Sequence, residues 1–168
     1  ARAVLTSKTK EKQELGQVLR VPQQFGEFIL NQFPVDYEIS SFRRPRIIFD
    51  ARVLNMFLPY VKFSLPTLPD VLSQLQAGSF MISIDLKSAY SQLTLTPSAM
   101  RKVCFRVPHG DEWHYFAYTG YPFGHALGPF VFQTVLSCLT KHLCRSGFGP
   151  CFQYLDDILI IIGSDGDS

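Results

Sequence analysis

Hydrophobic positions in this chain come in short, strand-sized runs broken by glycine, proline and polar turn residues. That rhythm predicts a mixed α+β domain rather than a helical bundle. Leu15, Val18 and Leu19 fall at helical spacing within 7–19, and Phe25, Phe28, Ile29 and Phe33 do so within 22–33, so two short helices are expected at the start. Ile47, Ile48 and Phe49 read as a strand entered through the basic run Arg43, Arg44, Pro45, Arg46. Thr67 and Asp70 form a capping box before a helix whose buried face is Leu68, Val71, Leu72 and Leu75, with Gly78 as its stop. Phe80 to Ile84 is a continuous apolar strand ending in Asp85, and 92–96 alternates around Leu93 and Leu95 as a further strand. The segments 102–107 and 112–118 flank a turn and form a hairpin. The longest helix runs over 129–145 with Val131, Val135, Cys138, Leu139 and His142 on one face and Gly147 as terminator. Two last strands, 152–155 and 158–162, bracket Asp156 and Asp157.

Composition narrows the class. In 168 residues, 46% are hydrophobic and 14% aromatic, enough for a core and against disordered, collagen-like or coiled-coil chains. One domain or two small interleaved lobes fit that length. Sixteen basic and 14 acidic side chains leave a net charge of +2, so a nucleic-acid partner must be argued from where the basic residues sit. The four cysteines form no C-x-x-C pair and no zinc spacing with histidine, and read as reduced, buried thiols of an intracellular protein, with cytoplasm, nucleus and organelle left open. No apolar run is long enough to span a membrane, and the basic start lacks the apolar core of a secretory signal.

The chemistry lies in the carboxylates. Asp85, Asp156 and Asp157 stand where apolar strands leave the core. Three converging carboxylates repel unless a cation sits among them, and such hard oxygen ligands suit Mg²⁺ or Mn²⁺. Taken alone, an Asp-Asp pair between strands is most often a turn, and Asp85 a helix cap. The flanking residues change that reading. Ile82 to Tyr90 (Ile-Ser-Ile-Asp-Leu-Lys-Ser-Ala-Tyr), Tyr121 to Pro129 (Tyr-Pro-Phe-Gly-His-Ala-Leu-Gly-Pro) and Phe152 to Asp157 (Phe-Gln-Tyr-Leu-Asp-Asp) resemble, in order and spacing, the A, B and C motifs of reverse transcriptases. Arg46 to Asn55 is similar to the fingers strand those enzymes use to hold a nucleoside triphosphate. The resemblance covers 40–163 and is closer to long-terminal-repeat, tyrosine-recombinase and pararetroviral types than to group II intron or telomerase enzymes.

That resemblance implies a right-hand polymerase palm, an antiparallel sheet backed by helices, with a fingers subdomain and no thumb. It divides the chain into N-terminal helices and fingers (1–78), palm with motif A (79–101), a fingers hairpin (102–118) and palm with motifs B and C (119–168). Asp85 and Asp156 become the principal ligands of two Mg²⁺ ions, with Mn²⁺ as a substitute, Asp157 a weaker one, and the Leu86 carbonyl a backbone ligand. Tyr90 becomes the ring that excludes a ribose 2′-hydroxyl, while outside this motif it would be an ordinary half-buried tyrosine. Phe123 becomes a flat surface and Gly124 a point of close approach beside the nucleotide. Many retroviral enzymes carry Gln at the position of Phe123 and Ser at that of Gly128. Arg46, with the amides of Ser88 and Ala89, becomes the triphosphate contact, and Arg43, Arg44, Arg52 and Lys62 add positive charge nearby. The implied partners are an RNA or DNA template with primer, a dNTP, no membrane, and a thumb supplied by further chain or by a partner, since this sequence stops soon after Asp157. Two classes remain: an RNA-directed DNA polymerase core, and a non-catalytic, domesticated relative that binds nucleic acid or serves as a structural module. The clustered carboxylates favour the first and the absent thumb the second.

Overall fold

A computed structural model of the chain describes residues 2–35 and 45–163; the expected contributions of Arg43 and Arg44 lie outside them. In chain order the elements are α1 (Arg2–Glu14), β1 (Val18–Val21), a 3₁₀ turn (Gln23–Phe25), β2 (Ile29–Leu30), β3 (Gln32–Val35), β4 (Arg46–Phe49), α2 (Arg52–Asn55), α3 (Leu68–Leu72) and β5 (Phe80–Asp85). A 3₁₀ turn (Ala89–Gln92), α4 (Pro97–Met100), β6 (Cys104–His109), β7 (Glu112–Tyr118), α5 (Gly128–Leu143) with a π-type turn (Cys144–Phe148), β8 (Cys151–Tyr154) and β9 (Asp157–Ile162) complete it. The mixed α+β class is as expected. No helix among the described residues is long and apolar enough to cross a membrane.

Several local expectations give way to tertiary pairing. The second N-terminal helix is absent: Ile29 and Leu30 pair in parallel with Cys104 and Phe105, and Gln32–Val35 pairs antiparallel with Arg46–Phe49. Pro22, Gly26 and Pro34 interrupt any helix there, and a Cβ at Gly26 would lie 3.0 Å from that of Cys104. The strand expected at 92–96 is a 3₁₀ turn followed by a single bridge, Thr94 to Gly120. The capping box at Thr67 and Asp70 forms, but α3 ends well before Gly78, and Leu68 and Leu72 are 69% and 55% exposed rather than buried. In α5 the expected inner stripe faces outward, with Val135, Cys138, Leu139 and His142 exposed, while Phe132 and Thr140 are buried. Gln133 and Thr140 belong to the inward side, where Gln133 finds backbone partners at Gln153 and Leu155, so the polar groups of the helix are not all on its solvent face. All four cysteines are free, but only Cys104 is buried; Cys138 and Cys144 are exposed.

The chain divides into two compact units, Ala1–Pro59 with Tyr90–Gly128 and Tyr60–Ala89 with Pro129–Ser168. In the first unit a four-stranded sheet of order β1-β7-β6-β2 stands beside the β3-β4 pair. Its core gathers Val18, Leu30, Phe49, Leu54, Val103, Phe105, Val107, Phe116 and Tyr118, with the Phe105 and Phe116 rings stacked at 5.6 Å. Tyr118 is buried, and its hydroxyl accepts from Gln32 Nε2 at 2.6 Å and Lys12 Nζ at 3.0 Å. Burial is the main reason the Lys12 ammonium falls to a pKa of about 8, opposed in part by nearby Glu11.

The second unit is a three-stranded antiparallel sheet of order β5-β9-β8. Ile158, Ile160 and Ile161 of the central strand are buried. The edge strand β5 leaves Phe80, Met81, Ile82 and Ile84 exposed at 69, 59, 44 and 37%. Gln133 of α5 ties the helix to the turn between β8 and β9. Its Nε2 donates to the Gln153 carbonyl at 3.1 Å, and its Oε1 accepts from the Leu155 N–H at 3.2 Å. Gln153 in turn donates from Nε2 to the Leu155 carbonyl at 3.3 Å.

Two outcomes follow from these two networks. Lys12 is costlier to bury charged than neutral, so Lys12→Met should stabilise the first unit at pH 7. The gain, on the order of 1–3 kcal/mol, should shrink as pH rises from about 8 through 10.5, where the lysine is neutral in both states. Urea unfolding of both proteins across that range checks it, the difference curve cancelling the opposite drift from Cys104, whose thiol burial raises to about 11. Gln133→Leu strips partners from the Leu155 N–H and the Gln153 carbonyl, and should cost about 1–3 kcal/mol and speed hydrogen exchange at the Leu155 amide.

Candidate active site

In the second unit the three carboxylates stand at one end of the sheet because the β-ladder puts them there. Strand β5 pairs with β9 over six registered positions, from Phe80 with Ile162 to Asp85 with Asp157. Asp85 and Asp157 are therefore directly opposite across adjacent strands, at a pair position where like charges are destabilising. Asp156 is the second residue of the two-residue loop from Tyr154 to Asp157, and its carbonyl accepts the Leu86 N–H at 3.1 Å. That bond fastens the end of β5 to the turn. Asp85 and Asp157 are exposed and Asp156 is half-buried.

Backbone strain marks the same place. Among the described residues, two non-glycine positions have positive φ, Ser88 and Leu155, both at 54°. One stands three residues after Asp85 and the other immediately before Asp156. Each costs on the order of 1–3 kcal/mol, and conformations of that kind collect where a site needs its backbone held. Leu155 is held there by the Gln133 hydrogen bond described above.

Of the remaining expected residues, Ser88 and the buried Ala89 also fall in the second unit, and Tyr90, Phe123, Gly124, Arg46 and Arg52 in the first. Tyr90 is buried, and its ring meets Phe123 edge-on at 5.1 Å, while Phe123 itself is 60% exposed and presents an apolar surface. The Tyr90 carbonyl accepts the N–H groups of Leu93 and Tyr121, at 3.3 and 3.2 Å. Gly124 has φ +97, and a Cβ there would lie 3.1 Å from the Phe49 carbonyl, so glycine is required by conformation and by space. At Gly128 a Cβ would sit 3.4 Å from Tyr90 Cδ1, at the edge of ordinary contact. Arg46 is exposed at the start of β4. Arg52, expected as free positive charge, instead forks onto Asp50: Nε to Oδ1 at 2.8 Å and Nη2 to Oδ2 at 2.7 Å. That pair holds the Asp50 carboxyl down at a pKa of about 2. Lys62 is exposed in the second unit.

Three residues escaped the sequence reading. Asn55 pins the turn after Phe123, donating from Nδ2 to the Gly124 carbonyl at 2.8 Å and accepting the Ala126 N–H at Oδ1, 2.9 Å. Gln133 and Gln153 secure the Asp156 turn. Asn55 closed the fingers-like segment and Gln153 lay within the C-like motif, yet neither carries chemistry by type alone. Gln133 had no sequence signal beyond being a polar residue in an apolar helix.

The donors of this end of the sheet, carboxylates and the Leu86 carbonyl, are hard oxygens of the kind magnesium takes. Their fit to a metal is one of backbone placement and donor type. Among the described residues no three His, Cys, Asp or Glu side chains are drawn together closely enough to hold an ion.

Comparison with known proteins agrees with this arrangement of motifs. The family model described as "Reverse transcriptase (RNA-dependent DNA polymerase)" matches residues 35–167. The retrovirus-related Pol polyprotein from transposon 412 of Drosophila melanogaster is 29% identical over 124 residues, which is 73% of this chain and 9% of that protein. The polyprotein from transposon gypsy of the same organism is 28% identical over 123 residues, 73% of this chain and 11% of its own length. The Tf2-3 transposon polyprotein of Schizosaccharomyces pombe is 27% identical over 138 residues, 82% of this chain and 10% of its own. The chain spans about a tenth of the length of these curated relatives. With four-fifths of its sequence inside the family match and transposon polyproteins as its relatives, this chain belongs to the reverse transcriptase family and is a reverse transcriptase segment of a retroelement.

Proposed function

We propose that the chain is the fingers and palm of an RNA-directed DNA polymerase, adding dNTPs to a primer 3′-hydroxyl on an RNA or DNA template. The observation that carries this reading is the register of β5 on β9. It sets Asp85 opposite Asp157 and bonds Leu86 to Asp156, gathering two sequence-distant acidic motifs at one sheet end where a structural role gains nothing from self-repelling charges. Asp85 and Asp156 are the principal ligands of two Mg²⁺ ions, with Mn²⁺ able to replace them; Asp157 and the Leu86 carbonyl complete the donor set. When bound, the ions supply positive charge at the transferring phosphate and lower the pKa of the attacking hydroxyl. The chain's own part is to position. Arg46 and the Ser88 and Ala89 amides orient the triphosphate, the ring of Tyr90 bars a 2′-hydroxyl, and Phe123 and Gly124 line the nucleotide. Further chain or a partner supplies the thumb that grips template and primer, and the setting is intracellular, where dNTPs are found.

Manganese binding to this chain, followed by the paramagnetic broadening of its NMR signals, should saturate and be lost in Asp156→Asn. Unaltered binding in that variant would overturn the site and leave a nucleic-acid-binding module without catalysis. In the longest natural chain that contains this segment, Asp85→Ala or Asp156→Ala should abolish primer extension, and Asp157→Ala should reduce it less.

Tyr90 decides the sugar. Shortening it to valine opens the volume a 2′-hydroxyl needs, so the ratio of kcat/KM for ribo- over deoxynucleotide should rise about ten-fold or more, at about 1.4 kcal/mol per decade. An unchanged ratio with deoxynucleotide activity retained would make Tyr90 a packing residue beneath Phe123.

A further inference from the structure

A second polar feature lies wholly within the first unit and uses none of the residues assigned above. Helix α1 crosses the face of the β1-β7-β6 sheet and leaves a cavity of about 280 Å³ between them. Lys10 reaches it from α1, Arg20 from β1, His109 from β6 and His114 from β7, with Thr6 and Thr9 beside them. None of the residues lining it is acidic. The ladder explains the convergence: Arg20 is registered opposite Phe116, and Val107 opposite His114, so these side chains share the sheet face that α1 covers.

The two imidazoles are stacked, with centroids 4.3 Å apart and planes 18° from parallel. Protonating both would set two like charges face to face beside Arg20. Burial first, then Arg20 and His109, hold the His114 imidazole below its ordinary pKa, and Glu112 works in the opposite direction. The other charged groups around the pair are Glu112, directly across the ladder from His109, and Lys10, whose nearest acid is Glu14 at a loose 3.9 Å on an exposed turn of helix. Two permanent cations and two imidazoles thus face one another with their nearest counter-charge at the rim.

We propose that this cavity is a binding site for a phosphate group. A phosphate group offers the negative charge and the several acceptor oxygens that four cationic or protonatable donors lack, and guanidinium and ammonium groups are its ordinary partners. Its binding favours the charged imidazoles. A polynucleotide backbone and free phosphate both carry this group. Arg20 and His114 also line an adjoining cavity of about 440 Å³ at the β1 edge of the sheet. Trp113 belongs to the opposite face of β7, where the Arg106 guanidinium lies 4.3 Å from its ring centroid.

The test uses the whole chain with inorganic phosphate as probe, following the histidine ring protons by NMR. Phosphate should bind saturably at pH 6 and should raise the titration midpoint of His114. Arg20→Gln and Lys10→Gln alter exposed side chains, and with circular dichroism unchanged they should lose both effects. A single-stranded oligodeoxynucleotide that displaces phosphate from the pair assigns the ligand to a polynucleotide. Phosphate binding that the oligonucleotide does not displace keeps the site and assigns it to free phosphate. Absence of saturable phosphate binding at pH 6, or binding undiminished in Arg20→Gln, overturns the proposal. Neither readout involves Asp85, Asp156 or nucleotide addition, so failure here leaves the polymerase reading standing.

Discussion

Like charges held opposite one another by a β-ladder are the constraint around which the second unit is organised. Asp85 and Asp157 occupy one cross-strand pair, and Asp156 sits in the loop next to it. Repulsion alone would splay these ends. The ladder resists because five further registered pairs of β5 and β9 lie behind it, and because Ile158, Ile160 and Ile161 bury the central strand. Each fully buried aliphatic side chain contributes about 1.5–3 kcal/mol, more than two solvated carboxylates take away by Coulomb repulsion in a high-dielectric setting. The apolar part of the strand is what lets its polar end be functional.

The loop that contains Asp156 is held by an unlike device. Leu155 adopts a left-handed backbone that leucine disfavours, and its N–H and carbonyl are claimed by Gln133 and Gln153. Gln153 is buried with its Oε1 unpartnered, so the hydrogen bonding of this corner is incomplete even while it determines the loop. A polar corner under an apolar sheet, with strain on its backbone, has the character of a position selected for geometry rather than for stability.

In the first unit a comparable economy holds the turn around Phe123. Asn55 spans it with two hydrogen bonds, Gly124 is pressed against the Phe49 carbonyl, and Gly120 leaves no room for a side chain because a Cβ would fall 2.5 Å from the Ser91 carbonyl. Tyr90 is buried below, so its ring has few alternatives to the orientation in which it meets Phe123. Both this turn and the Asp156 loop are fixed by amide side chains bonded to backbone groups, Asn55 in the one and Gln133 with Gln153 in the other, which places a functional residue without burying a charge.

Elements whose patterns were local and redundant were legible in the sequence. The strands leading to Asp85 and from Asp157, the capping box at Thr67, the hairpin at 104–118 and the carboxylate motifs all announced themselves through short-range chemistry. Tertiary structure decided what short range could not. Whether 22–33 was helix or strand depended on partners far along the chain, Cys104 and Phe49 among them, and the pairing energy outweighed a helical stripe of aromatics. Which side of α5 faced inward was decided by tertiary partners, the Gln133 amide bridging the Gln153 carbonyl and the Leu155 N–H, against the apolar stripe that the sequence alone offers. Arg52 was a cation by type but is spent on Asp50 by position, and four basic side chains scattered over a hundred residues became one cavity only when α1 settled on its sheet. Residue chemistry is encoded at each position, whereas juxtaposition is a property of the whole chain, because it is set by whichever long-range pairing buries the most surface and satisfies the most backbone.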